Sequence, residues 1–102
     1  MTTVEISPGR LPDGARAYRR TEMFTETSLP PALRKDHATK ENVWGLIHLV
    51  AGKLDYRITD PRRDQTATVL TTGGAPGIVE PTILHHVQPL GPVRFYVEFY
   101  RL

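Results

Sequence analysis

The chain contains no cysteine, and that single absence removes disulfides, thiolate metal sites and thiol nucleophiles together. Any metal held here is held by nitrogen and oxygen donors. Serine is nearly absent too. Ser7 and Ser28 are the only two, and neither lies in a Gly-x-Ser-x-Gly elbow, so a serine hydrolase has no nucleophile. No apolar run approaches the roughly eighteen residues of a membrane span, which excludes membrane insertion by a helix. The first eight residues lack the basic flank and apolar stretch of an export signal, so the expected location is the cytoplasm. Charge of one sign does not dominate. A formal net charge of +2, with acids and bases interspersed, excludes the clustered basic stripe of a nucleic-acid binder. Arg19-Arg20 and Arg62-Arg63 read as solvated loop charge. Gly73-Gly-Ala-Pro-Gly77 lacks the Lys-Ser/Thr pair of a phosphate loop and reads as a turn.

What remains is punctuation. The 102 residues form one domain, cut by nine prolines and eight glycines into short segments, the pattern of an all-β fold with closely spaced turns. Residues 1–20 read as an N-terminal arm in which Ala15-Arg-Ala-Tyr18 forms a short edge strand. The next segment is a loop with room for a helical turn, in which Thr25 to Ser28 leads into Pro30-Pro31, and Ala32 to His37 is expected as extended chain. Asn42 to Val50 is the clearest strand. Trp44, Leu46, His48 and Val50 share one face, Val43, Gly45, Ile47 and Leu49 the other, so both faces are expected to be buried. Lys53 to Thr59 alternates with Leu54, Tyr56 and Ile58 on one face and is expected to complete a hairpin with the preceding strand through Ala51-Gly52. Asp60 to Gln65 is a charged loop. Further strands are expected at Thr66 to Thr71, Ile78-Val79, His85 to Pro89 and Val93 to Tyr100.

Chemistry concentrates on four histidines. His85-His86 sits in Gly77-Ile-Val-Glu-Pro-Thr-Ile-Leu-His-His-Val87, and a lone His37 lies far upstream. Neutral imidazoles from distant positions that a small barrel brings together bind zinc, iron, nickel or copper. Successive strand residues point to opposite faces, so His85 and His86 cannot both look inward. His48, on the face of Trp44 and Leu46, reads as a hydrogen-bonded packing residue.

Three stretches carry a family resemblance: Lys35-Asp-His37-Ala-Thr-Lys40 with Val43-Trp-Gly45 and Gly52-Lys-Leu54; Val79-Glu-Pro81 with Leu84-His85; and Phe95-Tyr-Val-Glu-Phe-Tyr100. From Leu11 to the C-terminus the chain resembles the small cupin domains of the TehB N-terminal and YeaR-like family, associated with tellurite resistance. The resemblance implies a double-stranded β-helix, the cupin jelly-roll barrel. It selects His85 over His86, since the family motif ends at that position, and it selects His37. The acid many cupins place seven residues before the hairpin glycine is replaced by Gly45. Glu98 on the last strand is the candidate third ligand, although its parity places it with Tyr96 and Tyr100, opposite Phe95, Val97 and Phe99. The tyrosine face is expected to line the cavity if Glu98 is a ligand, leaving the phenylalanine face for the arm or a partner. Glu80 and Glu41 read as turn and loop charge. The methyltransferase domain that follows this module in longer family members has no counterpart here, and no Gly-rich nucleotide loop replaces it, so methyl transfer is not expected.

The expectation is therefore a metal-binding cupin with His37, His85 and Glu98 around a divalent Zn, Fe or Ni ion. It would bind or sense a small-molecule ligand in a stress response of the tellurite-resistance type. The alternative is a non-haem metal-dependent dioxygenase or isomerase drawing on Tyr96 or His86 for proton transfer. Trp44, Leu46, Phe95 and Phe99 exceed what one small core needs, so a homodimer, or cover by the arm through Val4, Ile6, Leu11 and Tyr18, is expected to bury them.

Overall fold

The structure is a computed structural model and describes residues 10–102, so Val4 and Ile6 of the expected arm lie outside the described residues. Eight strands follow in chain order: β1 (Arg16–Arg20), β2 (Phe24–Thr25), β3 (Trp44–Ala51), β4 (Lys53–Ile58), β5 (Thr66–Thr71), β6 (Gly77–Val79), β7 (His85–Pro89) and β8 (Arg94–Arg101). They form two antiparallel sheets, one ordered β1-β8-β3-β6 with β2 also paired to β8, the other ordered β5-β4-β7. The fold is all-β, and no helix among the described residues is long and apolar enough to cross a membrane.

The alternation read from the sequence decides what each sheet turns inward. Ile47, Val79 and Phe95 from the first sheet meet Leu54, Tyr56, Leu70 and Val87 from the second, and Phe24, Leu29 and Val93 complete the core. Phe95 is almost wholly buried, and its ring meets Phe24 edge-on at 5.6 Å. Full burial of such a side chain contributes about 1.5–3 kcal/mol relative to leaving it in water. The outer face of β3 is only partly covered: Trp44 is buried, Leu46 and His48 half-buried, Val50 exposed.

Two expectations are corrected. β3 and β4 do not form a hairpin, because the chain changes sheets between them: β3 pairs with β8 and β6, β4 with β5 and β7. Gly52 makes that crossing at φ +82°, and a Cβ there would lie 2.1 Å from the carbonyl oxygen of Pro92, so only glycine fits. Residues Pro31–Arg34 form a 3-10 turn, not extended chain. Pro31 presets the first helical φ, and the Arg34 guanidinium donates to the carbonyl of Glu26 at 2.7 Å. The chain is extended again at Lys35, two residues before His37. Of the apolar residues beyond the needs of one small core, Trp44 and Phe95 are buried, Leu46 is half-buried and Phe99 lines a cavity.

Candidate ligand and metal site

Between the sheets lies a cavity of about 410 Å³, within the size range of small-molecule sites. Ile47, Val79, Val87, Phe95, Val97 and Phe99 supply its apolar wall. The phenylalanine face of β8 therefore lines the cavity and the tyrosine face looks out, the reverse of what a Glu98 ligand requires. Burial of apolar area decides this orientation.

His37 and His85 both line the cavity. They face each other across an isolated antiparallel bridge in which each backbone N–H donates to the other's carbonyl at 2.9 Å. Bridged residues project from the same face, and the two rings stand 4.2 Å apart between centroids, tilted by 56°. Each Nδ1 lies 2.9 Å from a backbone carbonyl two residues earlier, that of Lys35 for His37 and of Ile83 for His85. A carbonyl only accepts, so each ring carries a proton on Nδ1, and a neutral ring held this way presents its lone pair on Nε2. Neither Nε2 has a hydrogen-bond partner among the described residues. Burial pushes the His85 pKa down to about 4, so that ring is neutral at neutral pH. Tyr56 packs edge-on to His85 at 5.8 Å, and its hydroxyl donates to the Ile78 carbonyl at 2.7 Å. Burial raises the pKa of that phenol, which stays protonated.

The turn before β7 sets His85 in place. Asp60, 2% exposed, accepts from the guanidinium of Arg62 at 2.8 and 3.0 Å and from the backbone N–H groups of Arg62 at 2.8 Å and Leu84 at 3.0 Å. Arg62 first, then these backbone donors, hold its carboxyl well below the usual carboxylate range. Arg62 also donates to the carbonyl of Thr82, a β-branched residue at φ +65°. That conformation is strained for threonine and persists because its N–H is tied to the Thr39 carbonyl at 3.0 Å. The sequence shows Asp60 only as loop charge; a carboxylate two residues before an arginine is too common to mark a clamp.

Glu98 is not brought to the pair. It lies on the outer face of β8, where its carboxylate meets His48 Nε2 at 2.5 Å and accepts from the Tyr100 hydroxyl at 3.3 Å. His48 also stacks on Tyr96 at 4.8 Å. His86 turns outward as well, its Nδ1 2.8 Å from Asp36, which also accepts from the Thr59 hydroxyl. These hydrogen bonds, that of His86 first, lower the Asp36 pKa. Asp36 stands directly opposite His86 because the His37–His85 bridge fixes that register, a partner invisible until the bridge is known. Neither Tyr96 nor His86 lines the cavity, and no group of three or more metal-ligating side chains occurs among the described residues.

A two-sheet antiparallel domain with a histidine pair in a ligand-sized cavity defines the class of protein. The model of the TehB-like domain matches residues 19–97, and the chain belongs to the TehB-like family. Its fold is similar to that of TehB from Haemophilus influenzae, with a TM-score of 0.79 at 24% identity over 87% of this chain. The match covers 32% of that protein, so this chain spans about a third of its length. A protein from Escherichia coli strain K12 is similar over 89% of this chain and 94% of its own, with a TM-score of 0.77 at 15% identity. At these identities the likeness speaks to the fold alone. No curated protein matches the chain.

Proposed function

We propose that this domain is a cupin-type small-molecule-binding module of the tellurite-resistance, stress-response kind, with His37 and His85 holding a divalent transition metal at the cavity wall. One observation carries the reading. Both Nδ1 atoms are spent on backbone carbonyls, neither Nε2 has a partner among the described residues, and both rings line the cavity, the arrangement by which proteins orient histidine ligands. Two neutral imidazoles suit a borderline ion such as Zn, Fe or Ni, and they leave most of the coordination sphere open. When bound, the ion would supply a Lewis-acid anchor for an oxygen or nitrogen of the ligand. The chain's own residues do the rest: Phe95, Val97 and Phe99 exclude water and the Asp60–Arg62 clamp holds His85 in position. Glu98, engaged by His48, is left out of the donor set.

Chelator-stripped protein titrated with zinc by calorimetry tests this. His37→Ala and His85→Ala should each weaken binding by at least about tenfold, the lower end for disturbing even the support of a ligand. Equal zinc affinity in wild type and both variants would overturn the metal assignment.

A further inference from the structure

Resting on the reading of the cavity as a ligand site, the geometry points to the class of ligand: we infer that the cavity takes a small amphipathic anion, an apolar body carrying a carboxylate or similar oxyanion. Among the described residues the charged ones on its wall are Arg19 and Lys40, and no aspartate or glutamate lines it. Arg19 belongs to the inner side of β1. It pairs with Phe99, which lines the cavity, whereas its neighbour Arg20 pairs with Glu98 and lies over the Tyr96 ring at 4.8 Å on the outer face. Neither Arg19 nor Lys40 has an ion-pair partner among the described residues, unlike Arg57, Arg62 and Arg63, each of which holds a carboxylate.

Exposure grades along the wall. Arg19 and Lys40 are exposed, Val97 and Phe99 half-buried, and Val87, Phe95 and His85 buried. The cations thus mark the open end and the apolar residues the closed end. The threonine hydroxyls on the wall already donate, Thr39 to the Val43 carbonyl at 2.7 Å and Thr21 to the Glu22 carbonyl at 2.8 Å. The side-chain charge that the described residues place at the mouth is therefore cationic. An arginine and a lysine flanking an apolar cleft recognise an anionic head and favour it over a neutral or cationic one of equal length.

Calorimetry with octanoate, 1-octanol and octylamine, all with chelator present so that no head group binds through a metal, tests the inference. Octanoate should bind about tenfold more tightly than the other two at low ionic strength, and the preference should shrink as salt is added. The exposed double variant Arg19→Gln/Lys40→Gln should bind octanoate no better than octanol, while octanol affinity stays at the wild-type value. Equal binding of octanol and octanoate to the wild type, or an octanoate preference that survives in the double variant, would overturn the anionic assignment and leave the cavity a ligand site. Binding of none of the three would overturn both.

Discussion

The inside and the outside of the β3–β8 sheet carry similar residues in opposite circumstances. Phe95 and Tyr96 are neighbours in sequence. One is buried against Phe24 and the other is half-exposed, stacked on His48. The histidines divide in the same way: His37 and His85 meet in the cavity with bare Nε2 atoms, whereas His48 Nε2 is held by a carboxylate at 2.5 Å. Side-chain chemistry alone does not make a histidine a candidate ligand. A ring becomes one when strand parity turns it toward a space in which nothing else satisfies it.

The sharpest way to break this comparison is to truncate the two neighbours on β8. Phe95→Ala leaves a cavity in the packed core and should cost about 3–5 kcal/mol of stability in urea unfolding. Tyr96→Ala removes only stacking and partial burial and should cost about 1 kcal/mol. Similar losses in the two variants would mean that the faces are not distinct.

Acid separates the two sides next. The His85 pKa is about 4 in the fold against an ordinary 6.5. Above pH 6.5 the ring is neutral in both states and its burial carries no protonation penalty. Between pH 6.5 and 4 the unfolded chain gains a proton that the native ring refuses, so stability falls with falling pH, by about 3 kcal/mol across the window. Asp36 and Asp60 have pKa values held below 3.8, so most of their losses come below pH 4 and only their onset falls inside this window. Urea unfolding followed from pH 7 to 4 should show this slope in the wild type and lose it in His85→Asn. An unchanged slope in the variant would place the acid sensitivity elsewhere.

Much of the fold was legible because alternation is a local signal. The extents of β5 and β7, the opposite facing of His85 and His86 and the grouping of Glu98 with Tyr96 and Tyr100 all follow from period two, while the choice of His85 as the inward ring rests on the family resemblance. Pairing was not legible. Nothing in Leu46 or Leu54 says that their strands belong to different sheets, and the expected β3–β4 hairpin fails because Gly52 closes against Pro92, a contact from forty residues downstream. The parity of Glu98 holds, but its face does not line the cavity, because burial of Phe95, Val97 and Phe99 decides which side of β8 turns inward. The nonlocal terms were beyond reach: the Asp60 clamp on Leu84, the Asp36–His86 pair and the inward Arg19 all depend on register.

The mildest change probes the comparison from the outside. Glu98→Gln keeps the size of the side chain and an acceptor oxygen for the Tyr100 hydroxyl, and it removes the negative charge beside His48. Both partners are about a quarter exposed, so the Coulombic gain is screened and the loss should stay below about 1 kcal/mol. Zinc affinity should match the wild type, because the carboxylate and the His37–His85 pair lie on opposite sides of the sheet that β8 shares with β3. The same titration that reads His85→Ala therefore reads this variant at no change. If Glu98→Gln were to weaken zinc binding as much as His85→Ala, Glu98 would have to reach the cavity. β8 would then present the Tyr96–Glu98–Tyr100 face inward, and the division between the two faces would fall with it.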